Sequence, residues 1–165
     1  MKGTTIMSQT TTGANAGIAQ SVHSGASVHL KSRAVEREVG DPQQEGVQDN
    51  WYPKFNRGLD TLKFIRSKGA GQIQNGDEIF VETTQTKVGD YRRLTTRKEI
   101  VELFYYRAGY GPPETWIVET ASGSEMRYGE PFALRNKEWN QTLAPYGDYL
   151  TTSRGNDMWT VRPTS

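Results

Sequence analysis

The sequence contains no cysteine. That single absence excludes a disulfide framework, a thiolate metal site and a cysteine nucleophile. Histidine is almost as scarce, with 2 residues in 165, so imidazole chemistry has only His23 and His29 to draw on. Charge of one sign is lacking too: 20 Lys and Arg stand against 19 Asp and Glu, a formal net charge of +1. No uniform field draws nucleic acid or an anionic membrane surface, and nucleic acid is not an expected partner. No run approaches the roughly 18 apolar residues of a membrane helix, so no membrane span is expected. Met1 to Gln20 is rich in Thr, Ser, Gly and Ala and carries no apolar core of a signal peptide. We read residues 1–16 as a flexible arm and 17–165 as one domain. The cytoplasm is the default compartment, with leaderless secretion left open.

Apolar content is modest as well, at 34%. What is present is concentrated in large rings: 5 Phe, 4 Trp and 8 Tyr can carry much of the burial of a small core.

The most informative feature is a pattern that occurs three times. It reads apolar, two residues, Gly, two residues, apolar, any, apolar. The copies are Val22 to Leu30 around Gly25, Ile73 to Val81 around Gly76, and Met126 to Leu134 around Gly129. Each describes a strand end, a turn that calls for positive φ, and a strand of period two. Val28, Ile79 and Phe132 are expected in one buried layer and Leu30, Val81 and Leu134 in the next. Phe64, Trp116 and Trp159 recur as the aromatic at another matching place and are expected in the core. After the turn, Gly89-Asp90-Tyr91 parallels Gly147-Asp148-Tyr149, and Trp51-Tyr52 fills the Tyr149-Leu150 slot of the first copy.

Units of about 50 residues made of short strands cannot bury their own apolar face. Three of them can close on one another around one core and remove most exposed edges. This resembles the β-trefoil superfamily, with the string of aromatic-Ile, Gly, apolar-x-apolar closest to the fascin and MIR type. The resemblance implies an all-β trefoil of three four-stranded repeats, at about 17–63, 64–115 and 116–163. Ricin-B lectins carry Gln-x-Trp in each repeat, and the matching Asp157-Met158-Trp159, Glu114-Thr115-Trp116 and Leu62-Lys63-Phe64 lack the Gln, so that family's sugar residues are not carried over. A β-sandwich would show similar strands but not the three-fold spacing. Residues 97–104 are ambiguous: Thr96-Arg-Lys-Glu99 is a capping-box string, whereas Val101 to Tyr105 favours a strand.

Catalytic signatures are missing. No G-x-S-x-G elbow accompanies the serines near His23 and His29, and Gly69-Ala70-Gly71 is not followed by the Lys-Ser/Thr of a phosphate loop. His29 alternates with Val28 and Leu30, so it is expected to face solvent. Asp77-Glu78 reads as turn-forming acidity, and Arg92-Arg93 with Arg97-Lys98 as a mixed, solvated face. No enzymatic activity, metal or cofactor is expected.

Aromatics outside the repeat template carry the functional reading. Tyr105, Tyr106 and Tyr110, and Trp139 beside Asn140 and Gln141, stand near amides and charges in the connections. A planar ring beside an amide suits a sugar face or a protein hot spot. The expected function is a non-enzymatic, lectin-like module binding carbohydrate through Trp139, Asn140, Gln141, Tyr105, Tyr106 and Tyr110, at one or two sites. The alternative is a protein-binding trefoil, a protease inhibitor or the receptor-recognition part of a toxin, with 108–113 as a protruding loop. Trefoils host all of these, so fold alone does not choose.

Overall fold

A computed structural model describes residues 19–97 and 100–164; the arm expected at 1–16 lies outside them. The described chain is all-β, with thirteen strands: β1 Ser27–Ser32, β2 Arg37–Glu38, β3 Gly40–Glu45, β4 Asn50–Lys54, β5 Leu62–Arg66, β6 Glu78–Thr83, β7 Arg93–Arg97, β8 Ile100–Tyr106, β9 Trp116–Thr120, β10 Phe132–Asn136, β11 Thr142–Tyr146, β12 Tyr149–Ser153 and β13 Trp159–Pro163. Short 3₁₀ turns stand at Thr86–Val88 and Pro112–Glu114.

Six strands close a ring. β1 pairs with β13, β13 with β10, β10 with β9, β9 with β6, β6 with β5, and β5 with β1, all antiparallel. Closure leaves no free edge in the barrel. The remaining long strands form three hairpins, β3–β4, β7–β8 and β11–β12. These meet one another: Trp51 pairs with Tyr105, the Thr151 hydroxyl donates to the Val101 carbonyl at 2.7 Å, and the Phe55 amide donates to the Asp148 carbonyl at 2.9 Å.

The repeated turns hold the ring together. Gly25, Gly76 and Gly129 have φ of 85°, 88° and 79°, the left-handed region that glycine enters without a Cβ penalty. The apolar residue three places before each glycine lies at the barrel's axis. Val22 N donates to Met126 O, Met126 N to Ile73 O, and Ile73 N to Val22 O, at 2.8–2.9 Å. The three segments thus satisfy one another's backbone in a closed triangle, as buried amides require. Val28, Ile79 and Phe132 are fully buried, as are Leu30, Val81 and Leu134. Phe64, Trp116 and Trp159 complete the core, and truncating either Trp would cost about 3–5 kcal/mol. The two indoles are equivalent in their polar contacts: Trp116 Nε1 donates to Leu94 O at 3.2 Å and Trp159 Nε1 to Leu143 O at 2.9 Å.

That equivalence corrects one part of the repeat alignment. Leu94 on β7 corresponds to Leu143 on β11, so Tyr91, just before β7, is not the counterpart of Tyr149 on β12. The shared Gly-Asp-Tyr is a coincidence of two different turns. Trp51-Tyr52 does stand on β4, the strand that corresponds to β12. The capping-box segment resolves as strand β8 for its described part, Ile100–Tyr106. His29 is a second correction. It is 8% exposed, covered by the chain around Asp60, whose carbonyl accepts from its Nδ1 at 3.0 Å.

Alternation along β1, β6 and β10 continues past the apolar pairs to Ser32, Thr83 and Asn136, all buried. Each side-chain oxygen takes a backbone N–H of the turn that follows: Val35 on Ser32, Gln85 on Thr83, and Glu138 with Trp139 on Asn136. A short polar side chain at that depth satisfies turn amides that water does not reach.

Candidate functional site

Asn136 builds the turn that carries Trp139. Its Oδ1 accepts the amides of Glu138 at 3.0 Å and Trp139 at 3.1 Å, and its Nδ2 donates to Pro113 O at 3.0 Å. The turn closes with Asn140 N donating to Asn136 O at 2.9 Å. Asn140 takes φ 56°, a conformation Asn tolerates better than most residues. Its carbonyl accepts from Arg135 Nη1 at 3.2 Å. Asn140 therefore shapes the turn, its side chain exposed outside the cleft that its neighbours line.

That cleft has a volume of about 350 Å³ and is lined by Thr96, Arg97, Val101, Trp139, Gln141, Thr151 and Thr152. It lies where the tip of β7–β8 meets the β10–β11 turn and β12. Trp139 is half-buried. Its Nε1 is inaccessible and has no hydrogen-bond partner among the described residues, so the ring offers a ligand hydrophobic surface and no donor. An orphaned N–H of this kind costs about 1–3 kcal/mol. Polar groups surround the ring. Thr152 Oγ1 donates to Gln141 Oε1 at 3.0 Å, leaving the Gln141 amide nitrogen as a donor. Thr151 spends its proton on Val101 O. The Arg97 guanidinium lies 5.4 Å from the Phe104 ring centroid and 5.5 Å from that of Tyr106.

The tyrosines expected at the site divide. Tyr105 is 1% exposed, because it alternates on β8 with Leu103 toward the core. Burial pushes its phenol well above the ordinary value of 10.0. It belongs to the core and not to a binding surface. Tyr106 sits on the opposite face of β8, and Tyr110 is exposed on the following loop. Their ring centroids are 5.2 Å apart, with Tyr91 a further 5.1 Å from Tyr106. Arg107 leans over Tyr91 and Tyr106, at 5.6 and 5.3 Å. Its guanidinium, hydrogen-bonded to the phenol, holds Tyr106 below the usual tyrosine range. Beside it a cavity of about 460 Å³ is lined by Glu82, Asp90, Arg92, Arg93, Arg107 and Ala108. There Arg93 pairs with Glu82 at 3.0 Å and with Glu114 at 3.3 Å. A smaller cavity at the β5–β6 turn is lined by Arg66 and Asp77, themselves paired at 2.9 Å. Asp77 also caps its own turn, accepting from Gln74 N at 2.7 Å. These three cavities occupy different places in their repeats.

The loop after β8 is built around Glu114, whose side chain is 1% exposed. Its Oε1 accepts the amides of Gly109 at 2.8 Å and Tyr110 at 3.0 Å, while Oε2 is buried without a partner. Thr115 Oγ1 donates to Gly111 O at 2.8 Å. Tyr110 stands on this scaffold with 51% of its surface exposed. Among the described residues no three of His, Asp and Glu converge as metal ligands would, and no helix is long and apolar enough to cross a membrane.

Neither a protein-family model nor a curated protein matches this sequence. Solved structures do share its fold. An SDF2-like protein from Arabidopsis thaliana superposes with a TM-score of 0.68 at 10% identity, over 87% of this chain and 95% of that one. A Kunitz-type cysteine protease inhibitor from potato gives 0.66 at 8% identity, over 87% and 92%. Lysenin bound to phosphocholine gives 0.67 at 11% identity, over 85% of this chain but 45% of lysenin, so the chain spans less than half the length of that protein. At these identities the likeness is one of fold: this chain shares a β architecture with proteins of several different kinds.

Proposed function

We propose that the chain is a β-trefoil binding module without catalytic activity, and that the Trp139 cleft holds a saccharide. The closed six-stranded barrel, three hairpins and three matched turns support the trefoil reading, as do the fold neighbours. The observation that carries the saccharide reading is the cleft itself. A ring offering only hydrophobic surface, an amide donor and threonine oxygens stand together in about 350 Å³, the combination that stacks on a sugar face and reads its hydroxyls.

A glycan array followed by calorimetry tests it. Trp139→Ala is expected to weaken any bound sugar at least tenfold, about 1.4 kcal/mol. Because Trp139 is only half-buried, the variant should melt within a few degrees of the parent, at about 2–4 °C per kcal/mol. Gln141→Ala should weaken the same sugar and leave the melting temperature unchanged. Unchanged affinity in both variants returns Trp139 to a purely structural role.

The Glu114-built loop favours a second reading, docking to a protein through Tyr110. A loop pre-ordered by its own buried carboxylate loses little entropy on binding. The potato inhibitor and lysenin, the latter also solved as a pore, support placing an inhibitor or a toxin's recognition part within reach of this fold. A protease-inhibition panel in which Tyr110→Ala abolishes inhibition would favour this reading over the saccharide one.

A further inference from the structure

The Trp139 cleft is unbalanced in its polar chemistry. Of the residues that line it, Thr96, Val101, Trp139, Gln141, Thr151 and Thr152 are uncharged, and Arg97 is the one charged member. Lys98 and Glu99 beside it lie outside the described residues. Other half-buried arginines of the outer surface are spent: Arg66 on Asp77, Arg93 on Glu82 and Glu114, Arg135 on Glu119. Among the described residues Arg97 makes no ion pair. The faces of Phe104 and Tyr106 position its guanidinium instead. A guanidinium held over ring faces rather than by a carboxylate keeps N–H donors for a ligand.

Its neighbours add one amide donor, and the Thr151 and Thr152 hydroxyls, their own protons committed, stand as acceptors for sugar hydroxyls. Gln141 Oε1 accepts from Thr152, which leaves the Gln141 amide nitrogen as that donor, and the Thr151 proton is committed to Val101 O. A cleft with a guanidinium unpaired among the described residues, an amide donor and no carboxylate in its described lining suits an oxyanion. The Trp139 ring beside it asks for a flat apolar face on the same molecule. We infer that the ligand is an acidic saccharide, its carboxylate or sulfate held by Arg97 and Gln141 while a sugar ring lies against Trp139. This rests on the saccharide reading above and narrows it to one chemical class.

The test is a matched panel on the full chain. Uronate-terminated, sialylated and sulfated oligosaccharides are titrated beside their neutral counterparts, at low and at physiological salt. Acidic members are expected to bind at least tenfold more tightly than the neutral ones, and the advantage should shrink as salt rises. The carboxylate and sulfate arms show which oxyanion is preferred. Arg97→Gln should erase the difference between acidic and neutral sugars. Arg97→Lys, which keeps the charge and loses the fork, should retain part of it and stands in if the Gln variant does not fold. Equal binding of acidic and neutral sugars overturns this inference and leaves the saccharide reading standing. Acetate or sulfate alone binding as tightly as the acidic sugar overturns it too, by showing a plain oxyanion site. If no saccharide in either class binds, both readings fall.

Discussion

Two glycines show how differently the same residue type is used. At Gly40 a Cβ would sit 2.7 Å from three backbone carbonyls, those of Lys54, Arg57 and Gly58. Carbonyls of neighbouring segments cannot swing aside as a side-chain tip can, so the cost is steric. At Gly76 nothing lies within 4 Å of the Cβ position, and the whole cost is its φ of 88°. Gly40→Ala is therefore expected to lose about 1–3 kcal/mol or more through overpacking, and Gly76→Ala about 1–2 kcal/mol through the left-handed backbone. Denaturant midpoints measure both, and a Gly40→Ala variant as stable as the parent would mean the β3–β4 end can open to admit a methyl group. The second glycine was legible, since its spacing from Gly25 and Gly129 marks a turn. The first was not, because what crowds Gly40 comes from residues 54–58 of another strand end. Trp139 divides in the same way. Its type and flanking amides drew attention in the sequence. That Asn136 anchors it, and that Asn140 serves the turn, follow from hydrogen bonds that sequence order does not display. A signal was nonetheless there: Ser32, Thr83 and Asn136 stand at one offset from the repeat glycines, three short polar residues where alternation demands an inward side chain.

Among elements, the barrel strands were readable and the hairpins were not. Inward positions of β1, β6 and β10 must be apolar because they face one shared core, and that constraint prints itself three times. Hairpin strands pack one face on neighbours of varied shape, so their letters drift, and a Gly-Asp-Tyr string could align two turns that differ in structure. The connection after β8 illustrates what length alone hides. From Leu94 to Trp116 is 22 residues, and from the equivalent Leu143 to Trp159 is 16. The extra chain is the loop folded round Glu114. Removing that carboxylate strands the amides of Gly109 and Tyr110 and one bond of Arg93. Glu114→Ala should cost about 3 kcal/mol or more, as breaking a buried pair does, and should free the loop before the barrel. Limited proteolysis is expected to cut within 107–113 in the variant, while amides of β6, β9 and β10 keep their exchange protection. A loop that resists cleavage in the variant would show that Asn136 and Thr115 suffice to hold it.

Over the whole molecule, three carboxylates shifted in opposite directions bear on acid stability. Asp60 is fully buried, with Thr83 Oγ1 at 2.7 Å and Gln85 Nε2 at 3.0 Å. Burial raises its pKa above the ordinary 3.8, more than these two donors lower it. Glu38 and Glu45 are lowered from 4.5, the first chiefly by its hydrogen bond from Arg162 and the second by those from Tyr149 and Lys54. The signs follow from linkage. Folded Asp60 holds its proton more tightly than the unfolded chain does. Its contribution to stability therefore grows as pH falls through the raised folded value and is complete below 3.8. Folded Glu38 and Glu45 hold theirs less tightly. Their contribution is present above 4.5 and is lost as pH falls through their lowered values. In Asp60→Asn the first effect is gone and the second remains. The variant's melting temperature, taken as a difference from the parent, should become more unfavourable as pH is lowered from 7 toward 4. The opposite double substitution, Glu38→Gln with Glu45→Gln, should make the same difference less unfavourable at acid pH. Parallel melting curves for Asp60→Asn and the parent across that range would mean the buried carboxyl titrates as it does in the unfolded chain, and that the Thr83 and Gln85 hydrogen bonds fully offset its loss of water.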